Sequence, residues 1–95
     1  ADQAFARMIP RLTPEQLLLI ADEFCAVHGT QVRDFAALVA AAAVPGARIS
    51  GIPVHDNASA AADSLAAAVS ALQPLSDLNE LFAAACRAVY VRLPD

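Results

Sequence analysis

Pro74, Asp77 and Asn79 stand in close order within Gln73-Pro74-Leu75-Ser76-Asp77-Leu78-Asn79-Glu80-Leu81-Phe82, directly ahead of a long apolar helical run. The head of a helix offers unpaired N–H groups and the positive end of the backbone dipole, a place suited to phosphate. The chemistry this spacing fits is nucleotide handling, yet the groups that such chemistry uses are missing. Gln73 has no titratable group near neutral pH and cannot serve as a general base. The positions after Asn79 hold Glu80 and Leu81 rather than cations, and Asp77 with Glu80 repels a polyanion. On local grounds the same residues read as a proline-terminated turn and an ordinary helix start, with Ser76 as the cap and Asp77 and Glu80 in the first turn.

A second group of candidates lies in Gly46–His55, the one stretch without helical character. Its Ile49, Ile52 and Val54 predict an extended flap or hairpin-like loop over the rest of the chain. Within it Arg48, Ile49, Ile52 and His55 are the candidates for contact with a target, and His55 is the one imidazole available there as a base or ligand. The plain alternative for Arg48 and His55 is that both are solvated. His28, at the end of a helical run, is expected to interact with the free carbonyls of that helix. Cys25 and Cys86 each sit inside an apolar helical pattern and read as buried free thiols, with no second Cys or His at metal-ligand spacing near either.

The elements that would hold these residues are helices. Thr13-Pro14-Glu15-Gln16 combines a capping threonine, a proline at the first helical position and a glutamine that completes a capping box. The run from there closes at His28-Gly29, with glycine past the last turn. Asp34 caps a second helix that reaches about Val44 before Pro45-Gly46 breaks it. Asp56 or Asn57 caps a third, Ala58 to Leu72, which is apolar on nearly every side and therefore reads as the central one. A fourth starts between Ser76 and Asn79 and runs to Arg92. Residues 2–9 form either a short helix ended by Pro10 or a loose arm. The expected fold class is all-α, a compact bundle of four main helices with a short extended flap. Residues 1–10 are an N-terminal arm and 11–95 a single domain.

Composition agrees with a helical bundle. Hydrophobic residues make up 58% of the 95, about a quarter of the chain is Ala, and Trp is absent. Alanine is the strongest helix former and lets helices approach closely. The net charge is −4 and all six basic residues are scattered arginines. Nucleic-acid binding, which needs a clustered basic surface, is not expected. Charged residues, proline and glycine interrupt every apolar run short of a membrane span. Without a signal-type N-terminus, a cytoplasmic setting is expected.

The order of these elements resembles the Fic/Doc superfamily, most closely its death-on-curing branch. The family loop reads His-Pro-Phe-x-Asp-Gly-Asn-Lys-Arg-Thr before an Ala-rich helix; here Pro74, Asp77 and Asn79 match, and Leu75 replaces Phe. Val32-Arg33-Asp34 through Ala42 is similar to the family's Arg-Asp-x-x-Leu-Leu-x-x-Ala segment, and Arg87-Ala88-Val89-Tyr90-Val91-Arg92-Leu93 to its closing helix. The resemblance covers about residues 11–94. It implies transfer of a phosphate-containing group to a protein hydroxyl, with Asp77 at a magnesium-associated position and Asn79 holding the loop and phosphates. It also places Gln73 at the general-base position, Leu78 at a glycine, and Glu80 and Leu81 at the phosphate-clamping Lys and Arg. The expectation is a catalytically degenerate module of bacterial toxin–antitoxin or regulatory type. It would need no cofactor and would work through an antitoxin-like helix or a second copy of itself. The alternatives are a divergent transferase using Mg-ATP at Asp77 and Asn79 with His55 as base, and a plain helical assembly domain.

Overall fold

The computed structural model describes residues 9–94. Four helices follow one another: α1 Pro14–His28, α2 Phe35–Ala43, α3 Ala58–Leu72 and α4 Asn79–Tyr90, with a small hairpin of β1 Arg48–Ile49 and β2 Ile52–Pro53 between α2 and α3. The chain is mostly helical, as expected. The expected arm lies outside the described residues except for Ile9 and Pro10, both buried.

The helix starts follow local chemistry. Thr13 Oγ1 accepts from the Gln16 N–H at 3.1 Å and the Gln16 side chain accepts from the Thr13 N–H at 2.8 Å, a complete capping box. Asp34 caps α2 by accepting from the Ala37 N–H, and Asn57 rather than Asp56 caps α3 by accepting from the Ala60 N–H. Gly29 closes α1 in the left-handed region at φ 73°, a conformation that costs glycine nothing and other residues about 1–2 kcal/mol.

The core lies where one face of each helix meets the others. Leu17 and Phe24 come from α1, Leu38 from α2, Leu65 and Val69 from α3, and Phe82, Cys86 and Tyr90 from α4. Each large apolar side chain removed from water contributes about 1.5–3 kcal/mol. Between them run buried alanines, Ala61 and Ala62 on α3 and Ala83 on α4, whose methyl groups let α3 and α4 pack closely along their length. α3 also contacts α2. It buries Ala61, Ala62, Leu65 and Val69 on one side while Asp63, Ala67 and Ala71 face solvent. α3, read from sequence as the central helix, packs against both α2 and α4, and its apolar outer positions are mostly small alanines, which cost little when exposed.

Burial also fixes the state of two ionisable groups. The Cys86 thiol is pushed up to about 12 by desolvation, and the Tyr90 phenol likewise to about 12. The Tyr90 hydroxyl donates to the Pro10 carbonyl at 2.7 Å. Cys25 and Cys86 are both free thiols; Cys86 is buried and Cys25 half-buried.

The hairpin turns through Ser50 and Gly51, at φ 52° and 79°, a pair of positive φ values that matches the twist of a two-residue hairpin. Ile49 faces Ile52 across the strands. Both are exposed, at 71% and 68%, so the expected flap exists but its isoleucines point away from the bundle rather than onto it. No described helix is long and apolar enough to cross a membrane.

Candidate functional site

The segment that joins α3 to α4 is fastened along its length to a second segment some forty residues earlier. Val32 and Leu75 form an antiparallel bridge. Pro74 O accepts from the backbone N–H groups of Arg33 at 2.8 Å and Asp34 at 3.0 Å, and the Ser76 N–H donates to Gln31 O at 2.9 Å. The Arg33 guanidinium adds a bond to Gln73 O at 2.9 Å. Pro74 and Leu75 are consequently buried although they belong to a connection.

Asn79 closes this segment from within. Its Oδ1 accepts from the Leu75 N–H at 2.9 Å, and its Nδ2 donates to Leu75 O at 3.0 Å and to Gln73 Oε1 at 3.3 Å. Gln73 Nε2 in turn donates to Ser70 O at 2.7 Å. Asn79 is only 5% exposed, and its amide is fully engaged. A buried amide satisfied on all sides specifies one backbone geometry, because any other leaves it or Leu75 unpaired.

The geometry forces two non-glycine residues into the left-handed region. Gln73, at φ 54°, ends α3, and Leu78, at φ 61° and ψ 26°, begins α4. The expected helix cap is corrected here. Ser76 does not cap α4; Leu78 stands at the cap position without a side-chain hydrogen bond, and Asp77 lies outside the helix. With α4 beginning at Asn79, Ser76 stands two residues ahead of the cap position. At its other end α4 stops at Tyr90, and a turn carries the chain through Arg92.

A cleft of about 390 Å³ opens at this junction, lined by Gln73, Asp77, Leu78, Asn79, Glu80 and Leu81. The loop residues singled out from sequence are thus brought together, apart from Pro74, which is buried behind them. Its charge is negative: the only ion pair among the described residues is Arg87–Asp63, so Asp77 and Glu80 have no basic partner. The Cys25 thiol on α1 is raised by burial first, and the negative charges of Asp22 and Asp77 add to it. Phosphoryl chemistry rests on cations that neutralise developing charge, and no Lys or Arg is among the residues that line this cleft. Among the described residues no group of three or more His, Cys, Asp or Glu is placed to hold a metal ion.

The flap candidates do not line the cleft. Arg48 Nη1 donates to Gly51 O at 2.9 Å and secures its own turn. His55 is half-buried, with Nε2 at 3.2 Å from Val44 O and Nδ1 at 3.4 Å from Ser64 Oγ. A carbonyl only accepts, so Nε2 is the donor in the bond to Val44 O. The solvated reading of His55 is corrected: its ring ties the hairpin to the end of α2 and the middle of α3. His28 packs its ring against Phe24, with centroids 4.2 Å apart. Its expected bond to the helix carbonyls is absent among the described hydrogen bonds, since the Gly29 N–H takes Cys25 O instead.

The fastening by Gln31–Asp34 was not foreseen as such. Its one sequence signal is Arg33-Asp34 at the entry to α2, where Asp34 was read as a helix cap. Compared with protein-family models, curated proteins and solved structures, the chain matches none.

Proposed function

We propose that this protein is a catalytically degenerate module of Fic/Doc type that acts through protein contacts rather than by transferring a phosphate-containing group. The observation that carries the reading is Leu78. Its backbone lies at φ 61°, the region that the glycine of the family loop adopts freely, although leucine has no intrinsic preference for it. A positive φ at the position that the resemblance gives to glycine supports the reading that the loop keeps its shape without its side-chain chemistry. Gln73 cannot take a proton, Asn79 is spent on Leu75 and Gln73, and Glu80 and Leu81 occupy the cation positions. A Mg-nucleotide would meet the carboxylates of Asp77 and Glu80, which suit the metal, but no cation for its phosphates.

The test is thermal unfolding in millimolar ATP with and without Mg²⁺. The wild-type melting temperature is expected to stay flat, since a ligand at a hundred times its Kd would stabilise by about 2.7 kcal/mol. A clear upward shift would overturn the reading in favour of a divergent transferase. The triple variant Gln73→His, Glu80→Lys, Leu81→Arg is expected to acquire Mg-ATP binding. If it too stays flat, the retained loop shape has no bearing on phosphate and the family likeness fails.

A further inference from the structure

We infer that residues 30–34, which join α1 to α2, form a strap that lifts from the loop between α3 and α4 while the helices stay folded. The observation that points to it is Thr30. This residue is only 8% exposed, and its Oγ1 is buried without a hydrogen-bond partner among the described residues. A hydroxyl so placed has given up its bonds to water and gained none in return. The fastened form therefore carries a cost that lifting removes, because the hydroxyl meets water once the strap comes away.

The hydrogen bonds divide so that only the strap has to move. α1 is closed by the Gly29 N–H on Cys25 O at 2.8 Å, and α2 is capped by the Asp34 side chain on the Ala37 N–H at 3.1 Å. Neither bond involves the loop. On the other side, the N–H and C=O of Leu75 are both taken by Asn79, so the loop keeps these bonds when the strap leaves. What the two sides share is a narrow seam. It consists of the Arg33 and Asp34 N–H groups on Pro74 O, the Ser76 N–H on Gln31 O, and the Arg33 guanidinium on Gln73 O. Gln31, Arg33, Asp34 and Ser76 are exposed, so water competes for the seam and each bond contributes little net. Val32, half-buried against the core, is the apolar contact that lifting gives up.

The hinge is Gly29, where nothing lies within 4 Å of the position a Cβ would take. Rotation about its ψ swings residues 30–34 and leaves the N–H that closes α1 in place. The movement reaches the cleft, because the strap holds Gln73 O through Arg33 and Gln73 lines that cleft. Lifting also leaves the Pro74 and Gln31 carbonyls unpaired along an exposed edge. The strap is thus a device that fastens or frees one wall of the cleft, and it does not depend on the family likeness.

Native-state hydrogen exchange followed by NMR tests this. The Arg33, Asp34 and Ser76 amides are expected to exchange together, at least about tenfold faster than the amides of Leu65 and Val69 inside α3. Thr30→Val keeps the shape of the side chain and removes the hydroxyl, and is expected to slow the three amides about tenfold. Thr30→Ser keeps the hydroxyl and is expected not to slow them. If the three exchange no faster than Leu65 and Val69, the seam opens only with the whole fold and the strap is overturned. The same follows if Thr30→Val leaves their exchange unchanged, since the hydroxyl then has a partner in the fastened form.

Discussion

Two connections in this molecule leave the helical pattern, and they are held by opposite means. The Gly46–His55 hairpin sets its own turn through Ser50 and Gly51, Arg48 bonds the turn's own carbonyl and its isoleucines face solvent, while His55 at its end ties it to α2 and α3. The Gln73–Leu78 loop is held from outside, by Gln31–Asp34 through backbone bonds and by the buried amide of Asn79. Both contain residues with positive φ. In the hairpin these are a serine and a glycine in a turn that favours them, whereas in the loop a glutamine and a leucine are placed there by tertiary contacts. A local conformation is thus written in the residues that adopt it only when those residues also stabilise it.

The largest effect that separates the two connections is expected from Asn79→Ala. It removes both bonds to Leu75 and leaves a buried N–H without a partner, which at 1–3 kcal/mol for an unmet buried group predicts a loss of about 3 kcal/mol. Urea unfolding measures it, and a loss below about 1 kcal/mol would show that the loop is held by the Gln31–Asp34 pairing alone.

A paired substitution comes next. Leu78→Gly relieves a left-handed leucine, worth about 1–2 kcal/mol, against the added freedom of glycine in the unfolded chain, about 0.5–1 kcal/mol. The unfolding midpoint should therefore rise slightly. Gly51→Ala, at φ 79° with open space around its Cβ position, should lower it by about 1 kcal/mol, because alanine resists that backbone conformation. The opposite signs are the expected result, and a loss at both sites would mean that Leu78 is held by packing strong enough to outweigh its backbone cost.

The smallest effect is expected from Ile49→Thr and Ile52→Thr, each within about 0.5 kcal/mol because the side chains are already in water. A larger loss in either would show that the hairpin packs onto something in solution.

The fold was legible from sequence wherever the deciding residues are near neighbours. Thr13 with Gln16, Asp34 with Ala37, and His28-Gly29 set helix ends through bonds spanning three or four residues, and such bonds can be read from spacing. The choice between Asp56 and Asn57 stayed open because both can cap, and the chain selects Asn57. The start of α4 falls at the far end of the expected Ser76–Asn79 span, and the Ser76 cap was not borne out because the residues ahead of Asn79 pair with Gln31–Asp34, some forty positions earlier, which local sequence does not announce. The same holds for His55, whose partners Val44 and Ser64 lie on either side of it in sequence and meet only after α2 and α3 pack. At the candidate site the residue types were legible and the engagement of the Asn79 amide was not. Asparagine at a loop edge is common, and only burial distinguishes one that is fully bonded.

The bond from the Tyr90 hydroxyl to the Pro10 carbonyl spans 80 positions. A growing chain can cap α1, pair α2 with α3 and turn the hairpin while Pro10 still waits for its donor. The segment before α1 therefore gains its anchor last, after α4 is complete. An interruption of synthesis just before Tyr90 would leave that segment untethered while the helices ahead of α4 could already have formed.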